Sequence, residues 1–81
     1  MESDDILREF VEYIARGLVD NPDQVKVTED RHGDRVTLYL DVAEADMGKV
    51  IGKGGRIAHA IRNLVKVAAI QEDVRANLEI G

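Results

Sequence analysis

The stretch VIGKGGRI, residues 50–57, is the most informative segment for predicting the fold of this 81-residue chain. It holds three of the chain's seven glycines and two basic residues, and it lies between two segments with helical patterns. Glycine is costly inside a helix, but it permits positive φ and lets another part of the backbone come close. The stretch therefore predicts a tight turn between two consecutive helices.

The beginning of the second helix has the features of a phosphate site. Its first N–H groups have no partner within the helix, and the helix dipole adds partial positive charge there. Lys53 in the turn and Arg56 after it add full positive charges, and we expect Lys49 in the same patch. The alternative is a plain helix–helix turn, in which glycine is common.

Two other phosphate-binding motifs do not fit the stretch. A P-loop has four residues between its glycines and a Ser or Thr after the lysine. Here Gly48 and Gly52 enclose three residues, and Gly54 follows Lys53. The dinucleotide fingerprint G-x-G-x-x-G is also absent from the stretch, and no parallel strand–helix–strand unit is predicted around it. A nucleotide-binding enzyme is therefore not predicted.

The charges are distributed unevenly along a chain whose net charge is −5. Residues 1–46 carry thirteen acidic and five basic residues, and residues 72–81 carry three acidic residues and one basic residue. Residues 47–71 carry five basic residues and no acidic one. Because the local field matters more to an anionic ligand than the total charge, this distribution favours an anion near the glycines.

The composition bounds the function classes that we expect. Without cysteine the chain has no disulfide and no thiolate metal site. His32 and His59 each lack a second ligand at metal-binding spacing, and we find no set of nucleophile and base. The beginning of the chain is acidic, unlike a signal peptide, and no apolar run approaches the roughly 20 residues of a membrane span. We therefore expect one cytoplasmic domain over residues 1–81, with no catalysis, metal, cofactor, small-molecule substrate or membrane contact.

Apolar periodicity predicts six elements in the order α-β-β-α-α-β. Ser3 is the expected N-cap of the first helix, and Asp46 that of the second. Each strand alternates apolar and polar residues, so each has one buried face. The sequence thus predicts an α+β fold, a three-stranded sheet with helices packed on one face. The predicted elements are a helix at residues 4–19, strands at 24–30 and 34–42, helices at 47–51 and 55–71, and a strand at 74–80.

The pattern V-I-G-K-G-G-R-I resembles the signature of the KH domain, in which a G-x-x-G loop joins two helices. The predicted element order resembles the bacterial type II form of that fold. The segments LVDNPDQVKV and DMGKVIGKGGRI, at residues 18–27 and 46–57, are similar to those of small bacterial single-KH proteins, the KH domain protein A family. The resemblance covers nearly all of the chain.

The resemblance implies an RNA-binding protein whose loop clamps the backbone of about four single-stranded nucleotides, with the bases in an adjacent aliphatic groove. The strand at residues 76–80 would form the far wall of that groove. Single-stranded DNA stays an alternative, because contacts to the 2′-hydroxyl cannot be read from the sequence. The implied RNA-binding residues are Gly52, Lys53, Gly54 and Gly55 of the loop, with Lys49, Val50, Ile51, Arg56 and Ile57 beside it.

No aromatic residue lies in the motif, although base–aromatic stacking contributes ~1–3 kcal/mol per base. We therefore expect weak binding with low sequence specificity. The family further implies post-transcriptional regulation or RNA chaperoning, linked to cell division and envelope growth.

The long second helix of the motif has a wide apolar face. Apolar residues between positions 57 and 69 span about half of its circumference, whereas packing on one sheet needs a stripe of about 100°. The excess predicts a homodimer, or a heterodimer with a second KH-domain protein, and the family favours this reading over a wide core stripe. A protein-interaction module without significant RNA binding is the alternative function. The residues expected at the dimer interface are Ala58, Ile61, Val65 and Ala69.

Overall fold

The sheet consists of β1 (Lys26–His32), β2 (Arg35–Asp41) and β3 (Arg75–Ile80), side by side in chain order, in a computed structural model that describes residues 6–81. β1 and β2 are antiparallel and joined by a two-residue turn in which Gly33 has a φ of 62°. Hairpin turns this short need positive φ. β2 and β3 are parallel, so the chain must cross from one end of the sheet to the other between them.

Two of the three helices lie in this crossover. The helices are α1 (Ile6–Leu18), α2 (Met47–Ile51) and α3 (Arg56–Gln71). α1 packs against β1 and β2, α3 packs against β3, and α2 contacts both other helices. The order α-β-β-α-α-β confirms the predicted α+β, type II KH architecture. No helix within residues 6–81 is both long and apolar enough to cross a membrane.

The element boundaries agree with the periodicity to within two residues. The expected start of the first helix at residue 4 and its cap Ser3 lie outside the described residues. Three short 3-10 turns were not predicted, because three residues are too few to show an apolar period. These turns are Pro22–Gln24, Glu44–Asp46 and Lys53–Gly55.

The core lies between the sheet and the helices α1 and α3. Alternate residues of each strand point toward the helices, and the other face of the sheet carries mainly polar side chains. The buried residues that form one cluster are Leu7, Val11, Ala15, Val25, Val27, Val36, Leu38, Leu40, Val50, Ile61, Val65, Ala69, Ala76 and Leu78.

The four residues expected at a dimer interface are buried inside the domain instead. Ala58, Ile61, Val65 and Ala69 are each at most 4% exposed. They recur at three- and four-residue spacing along the face of α3 that packs onto the sheet. Their assignment to a partner surface was therefore wrong, because the domain's own core covers them. The large apolar residues that α3 leaves exposed are Leu64 (48%), Val67 (56%) and Ile70 (75%).

Asp46 is the one buried charged residue within residues 6–81, with 1% of its surface exposed. Its carboxylate accepts hydrogen bonds from the backbone N–H of Asp20 (3.3 Å) and Asn21 (3.0 Å) and from Asn21 Nδ2 (3.0 Å). The prediction that it caps α2 was wrong, since its side chain makes no capping hydrogen bond. Asp46 instead ties the segment after α1 to the start of α2.

The environment of Asp46 favours its charged form. Burial alone would raise the pKa of Asp46, but the Asn21 amide, the two backbone N–H groups and the positive charge of Lys49 together hold this pKa below its ordinary value. A carboxylate with a lowered folded-state pKa stabilises the fold above its unfolded-state pKa. That stabilisation is lost as the pH falls through the folded-state value.

Asp46→Asn is expected to lower the free energy of unfolding at neutral pH, because the amide places N–H groups against N–H donors and leaves Lys49 without this charge partner. The difference from the unchanged protein should begin to shrink as the pH falls below about 4, the ordinary pKa of an Asp side chain in the unfolded chain. It should vanish only as the pH falls through the lower pKa of the folded state, where the native carboxyl becomes protonated. Urea unfolding over a pH series measures this difference. Asp41→Asn, at an exposed carboxylate, is the control. If Asp46→Asn lowered the free energy of unfolding by the same amount at every pH, the stabilising role of the charged Asp46 carboxylate would be contradicted.

Candidate nucleic-acid interface

The loop between α2 and α3 uses backbone conformations that favour glycine. The φ angles are 76° at Gly52, 64° at Gly54 and 78° at Gly55. Residues other than glycine rarely adopt such φ angles, because their Cβ atom comes too close to the following carbonyl. The N–H of Gly55 donates to the carbonyl of Gly52 at 3.1 Å and closes the turn. The predicted tight turn between two helices is therefore confirmed.

The glycines of the loop have different surroundings. A Cβ on Gly52 would lie 2.6 Å from Cγ1 of Ile57, so the side chain of Ile57 packs against bare backbone. A Cβ on Gly54 or Gly55 would meet nothing within 4 Å. Gly52 thus serves the packing of the turn, whereas Gly54 and Gly55 leave the outer side of the loop open.

The tip of the loop carries unpaired donors and positive charge. Within residues 6–81, the N–H groups of Lys53 and Gly54 have no hydrogen-bond acceptor. The side chains of Lys53 and Arg56 are exposed and form no ion pair with any described residue. These groups lie beside the N-terminus of α3, where the helix dipole is positive. The arrangement can accept a phosphate through backbone donors and two cations together.

Lys49 is placed differently from Lys53 and Arg56. Its Nζ lies 3.2 Å from Oδ2 of Asp20 and 3.7 Å from Oδ1 of Asp46. Two carboxylates offset its charge, so it adds less to the field at the loop than a free cation would. The ion pairs make Lys49 part of the link between α1 and α2.

The structure separates the three aliphatic residues expected in the groove floor. Val50 is 0% exposed and belongs to the core, so its assignment to a surface groove was wrong. Ile51 is 36% exposed, and Ile57 is half-buried against Gly52. Successive residues of a helix point about 100° apart, which is why Val50 faces inward and Ile51 outward.

One of the two edges of the sheet lies along β3. The N–H of Arg75 donates to the carbonyl of Asp34, and that of Gly81 to the carbonyl of Leu40, so odd-numbered residues of β3 bond to β2. The N–H and C=O groups of the even-numbered residues therefore point away from the sheet. The side chains of Ala76 and Leu78 lie in the core, so the strand presents its backbone edge to the outside.

Sequence reasoning missed a contact on this edge. Nε of Arg62, on α3, donates to the carbonyl of Leu78 at 3.2 Å. The bond joins residues sixteen positions apart and connects α3 to the outer edge of β3. The only signal in the sequence was the position of Arg62 in the acid-free segment after the loop.

Gly52→Ala is expected to destabilise the fold by about 1 kcal/mol or more, because the methyl group meets Ile57 and the φ is positive. Gly48→Ala is the matched control in α2, since its Cβ would meet nothing within 4 Å. There alanine should stabilise the helix by up to about 1 kcal/mol. Urea unfolding followed by circular dichroism compares both variants, and equal shifts of the same sign would contradict a special need for glycine at position 52.

Comparison with known proteins places this loop in a family. The family described as KhpA/KhpB, KH domain, matches residues 8–80. Proteins named RNA-binding protein KhpA are 56% identical over 72 residues in Caldanaerobacter subterraneus subsp. tengcongensis and 50% over 74 residues in Clostridium acetobutylicum. The first alignment covers 89% of this chain and 96% of the relative, the second 91% and 99%.

A relative of the same name in Treponema pallidum is 49% identical over 72 residues, which is 89% of this chain and 90% of that protein. No solved structure matches the chain significantly. The matches span almost the whole chain and include the glycine loop, which confirms the resemblance found in the sequence. The chain belongs to the KhpA/KhpB family of KH domains.

Proposed function

We propose that this chain binds single-stranded RNA and holds its phosphate backbone on the loop of residues 52–55. The observation that carries the proposal is the loop tip, where two N–H groups that find no acceptor among residues 6–81 lie beside the exposed cations Lys53 and Arg56. Backbone N–H groups at a helix N-terminus are suited to a phosphate because they combine hydrogen bonds with the helix dipole. The relatives named RNA-binding proteins support RNA as the ligand.

The bases of the bound RNA would lie beside Ile51 and Ile57 and along the side of α3 that adjoins β3. The loop contains no Phe, Tyr or Trp: Phe10 and Tyr13 lie on α1, and Tyr39 points to the open face of the sheet. Stacking on aromatic rings, worth ~1–3 kcal/mol per base, is therefore missing. Binding is modest and, over the whole site, of low sequence specificity.

The cellular role that fits such a binder is post-transcriptional regulation or RNA chaperoning in the cytoplasm, linked to cell division and envelope growth. This part of the proposal rests on the family alone. No catalytic step is required by it, since holding a phosphate backbone needs hydrogen bonds and charge but no reacting group.

We further propose that α3 pairs the domain with a second copy or with another KH-domain protein. Ala60, Leu64 and Val67 recur at four- and three-residue spacing on the exposed side of α3, and Leu64 and Val67 are 48% and 56% exposed. This stripe replaces the four buried residues as the candidate interface. Two linked modules bind one RNA more tightly than either alone. A pure protein-interaction domain would use the same stripe and would not need the loop.

The double variant Lys53→Asp/Gly54→Asp is expected to abolish RNA binding while it remains folded, because it puts carboxylates where phosphates would lie. Aspartate tolerates the left-handed backbone of Gly54 better than most residues. Fluorescence anisotropy with a mixed-sequence single-stranded RNA measures binding at several salt concentrations. RNA binding by the unchanged protein should weaken steeply with salt. The logarithm of its binding constant should fall against the logarithm of the salt concentration with a slope of about −0.7 for each phosphate contacted.

The control for this experiment is Gln24→Glu/Lys26→Glu, which changes the net charge by the same amount around the start of β1, the edge strand opposite β3. It should bind RNA nearly as well as the unchanged protein. If both double variants bind equally well, the glycines form only a turn and the phosphate site lies elsewhere.

Leu64→Glu is expected to convert a dimer to a monomer, because a buried interface would leave the new carboxylate without a partner. Sedimentation velocity over a range of concentrations measures the oligomeric state. Tyr39→Glu places the same charge on the opposite face of the domain and should not change it. A monomer at every concentration, or a dimer that survives Leu64→Glu, would contradict a self-association through this stripe.

A further inference from the structure

The side chain of Arg62, on α3, bonds to the outer edge of β3. Its Nε donates to the carbonyl of Leu78 at 3.2 Å. This carbonyl points away from β2, so no strand can be its partner within the domain. Apart from this bond Arg62 is exposed, and it forms no ion pair with any described residue.

The bond leaves most of the guanidinium group available. An arginine side chain has five N–H donors in one plane and no acceptor. Nε uses one of them, and the four N–H groups on the two Nη atoms have no acceptor within the described part of the chain. Because Nε is held by a backbone atom of the sheet, the guanidinium group lies beside the outer edge of β3 and its other N–H groups are free to bind a ligand there.

The position of Arg62 suits a base better than the clamped phosphate. It follows Arg56 by six residues, which is about 9 Å along the helix axis. In the proposed complex, Lys53 and Arg56 at the loop tip contact the phosphate backbone of the RNA. In that complex, a nucleotide whose phosphate lies at the loop would extend its base along α3 toward the outer edge of β3, where Arg62 lies.

We propose that Arg62 is a specificity-determining residue of the RNA site and selects a base with two adjacent acceptors. The inference rests on the RNA binding proposed above. Guanine presents O6 and N7 side by side, and arginine contacts this pair through two hydrogen bonds. Cytosine presents O2 and N3 on its Watson–Crick edge, which is accessible in a single strand. Adenine pairs an acceptor with an amino group, and the two carbonyls of uracil flank an N–H.

Arg62 therefore favours guanine or cytosine over adenine or uracil at one position of the bound strand. One such contact within about four nucleotides leaves the overall sequence specificity low. Lysine at this position would retain the charge but could not make the planar two-point contact.

The test compares the unchanged protein, Arg62→Lys and the matched control Arg35→Lys, which lies on the open face of the sheet. Fluorescence anisotropy is measured with octamers of mixed A and U that carry no substitution, a single G, a single C, or 7-deazaguanine in place of the G. The unchanged protein and Arg35→Lys should bind the G or the C octamer about tenfold more tightly than the A/U octamer. Arg62→Lys should bind all octamers like the A/U octamer.

The modified base distinguishes the two sources of the acceptor pair. 7-Deazaguanine lacks N7, so a loss of the G preference on this substitution assigns the contact to guanine. A preference for C that Arg62→Lys abolishes assigns it to cytosine. Both outcomes support the proposal.

Equal affinity of the unchanged protein for all octamers would overturn the proposal that Arg62 selects a base. A base preference that persists in Arg62→Lys would overturn it as well. Lys53→Asp/Gly54→Asp in the same series separates the two proposals, because loss of the clamp weakens every octamer alike. If no octamer binds to the unchanged protein, both proposals fail. Circular dichroism verifies folding, and Arg62→Gln, which retains a donor for the Leu78 carbonyl, is the second variant if Arg62→Lys unfolds.

Discussion

The parallel pairing of β2 with β3 is the constraint on which the rest of this small domain depends. Parallel neighbours cannot be joined by a hairpin, so the chain between them must return across the sheet. The crossover is made of two helices, and the turn between these helices is the glycine loop. The same pairing makes β3 an edge strand, and the outer carbonyl of Leu78 on this strand lies within reach of Arg62 on α3. Loop and edge are thus two consequences of one topology.

Two interactions hold the loop in this frame. Ile57 packs on the bare backbone of Gly52, which fixes how α3 leaves the turn. Asp46 accepts hydrogen bonds from the segment after α1 and forms an ion pair with Lys49. These contacts fix how α2 enters the loop. The tip between these anchors contributes no side chain to the core. A charged ligand can therefore be bound there without a cost in packing.

Much of this arrangement could be predicted from the sequence, because its signals are local. Alternation identified the strands, the three- and four-residue periods identified the helices, and the glycines identified the turn. What could not be predicted depends on pairs that are distant in the chain. Asp46 was expected to cap its own helix, but its hydrogen-bond partners lie twenty-five positions or more away. The apolar width of α3 was visible, but not which part of it the sheet would cover, so Val65 was assigned to a partner and Leu64 was not.

Two glycines of the loop, Gly52 and Gly54, differ in how well they tolerate substitution. The Cβ direction of Gly52 is blocked by Ile57, whereas that of Gly54 is open to solvent. A side chain at the first position disturbs the fold, whereas one at the second mainly changes the chemistry offered to a ligand, provided that it accepts a left-handed backbone. Asparagine and aspartate do so most readily. Evolution could therefore adjust affinity for an anion at this tip, residue by residue, while selection for a folded domain acts elsewhere.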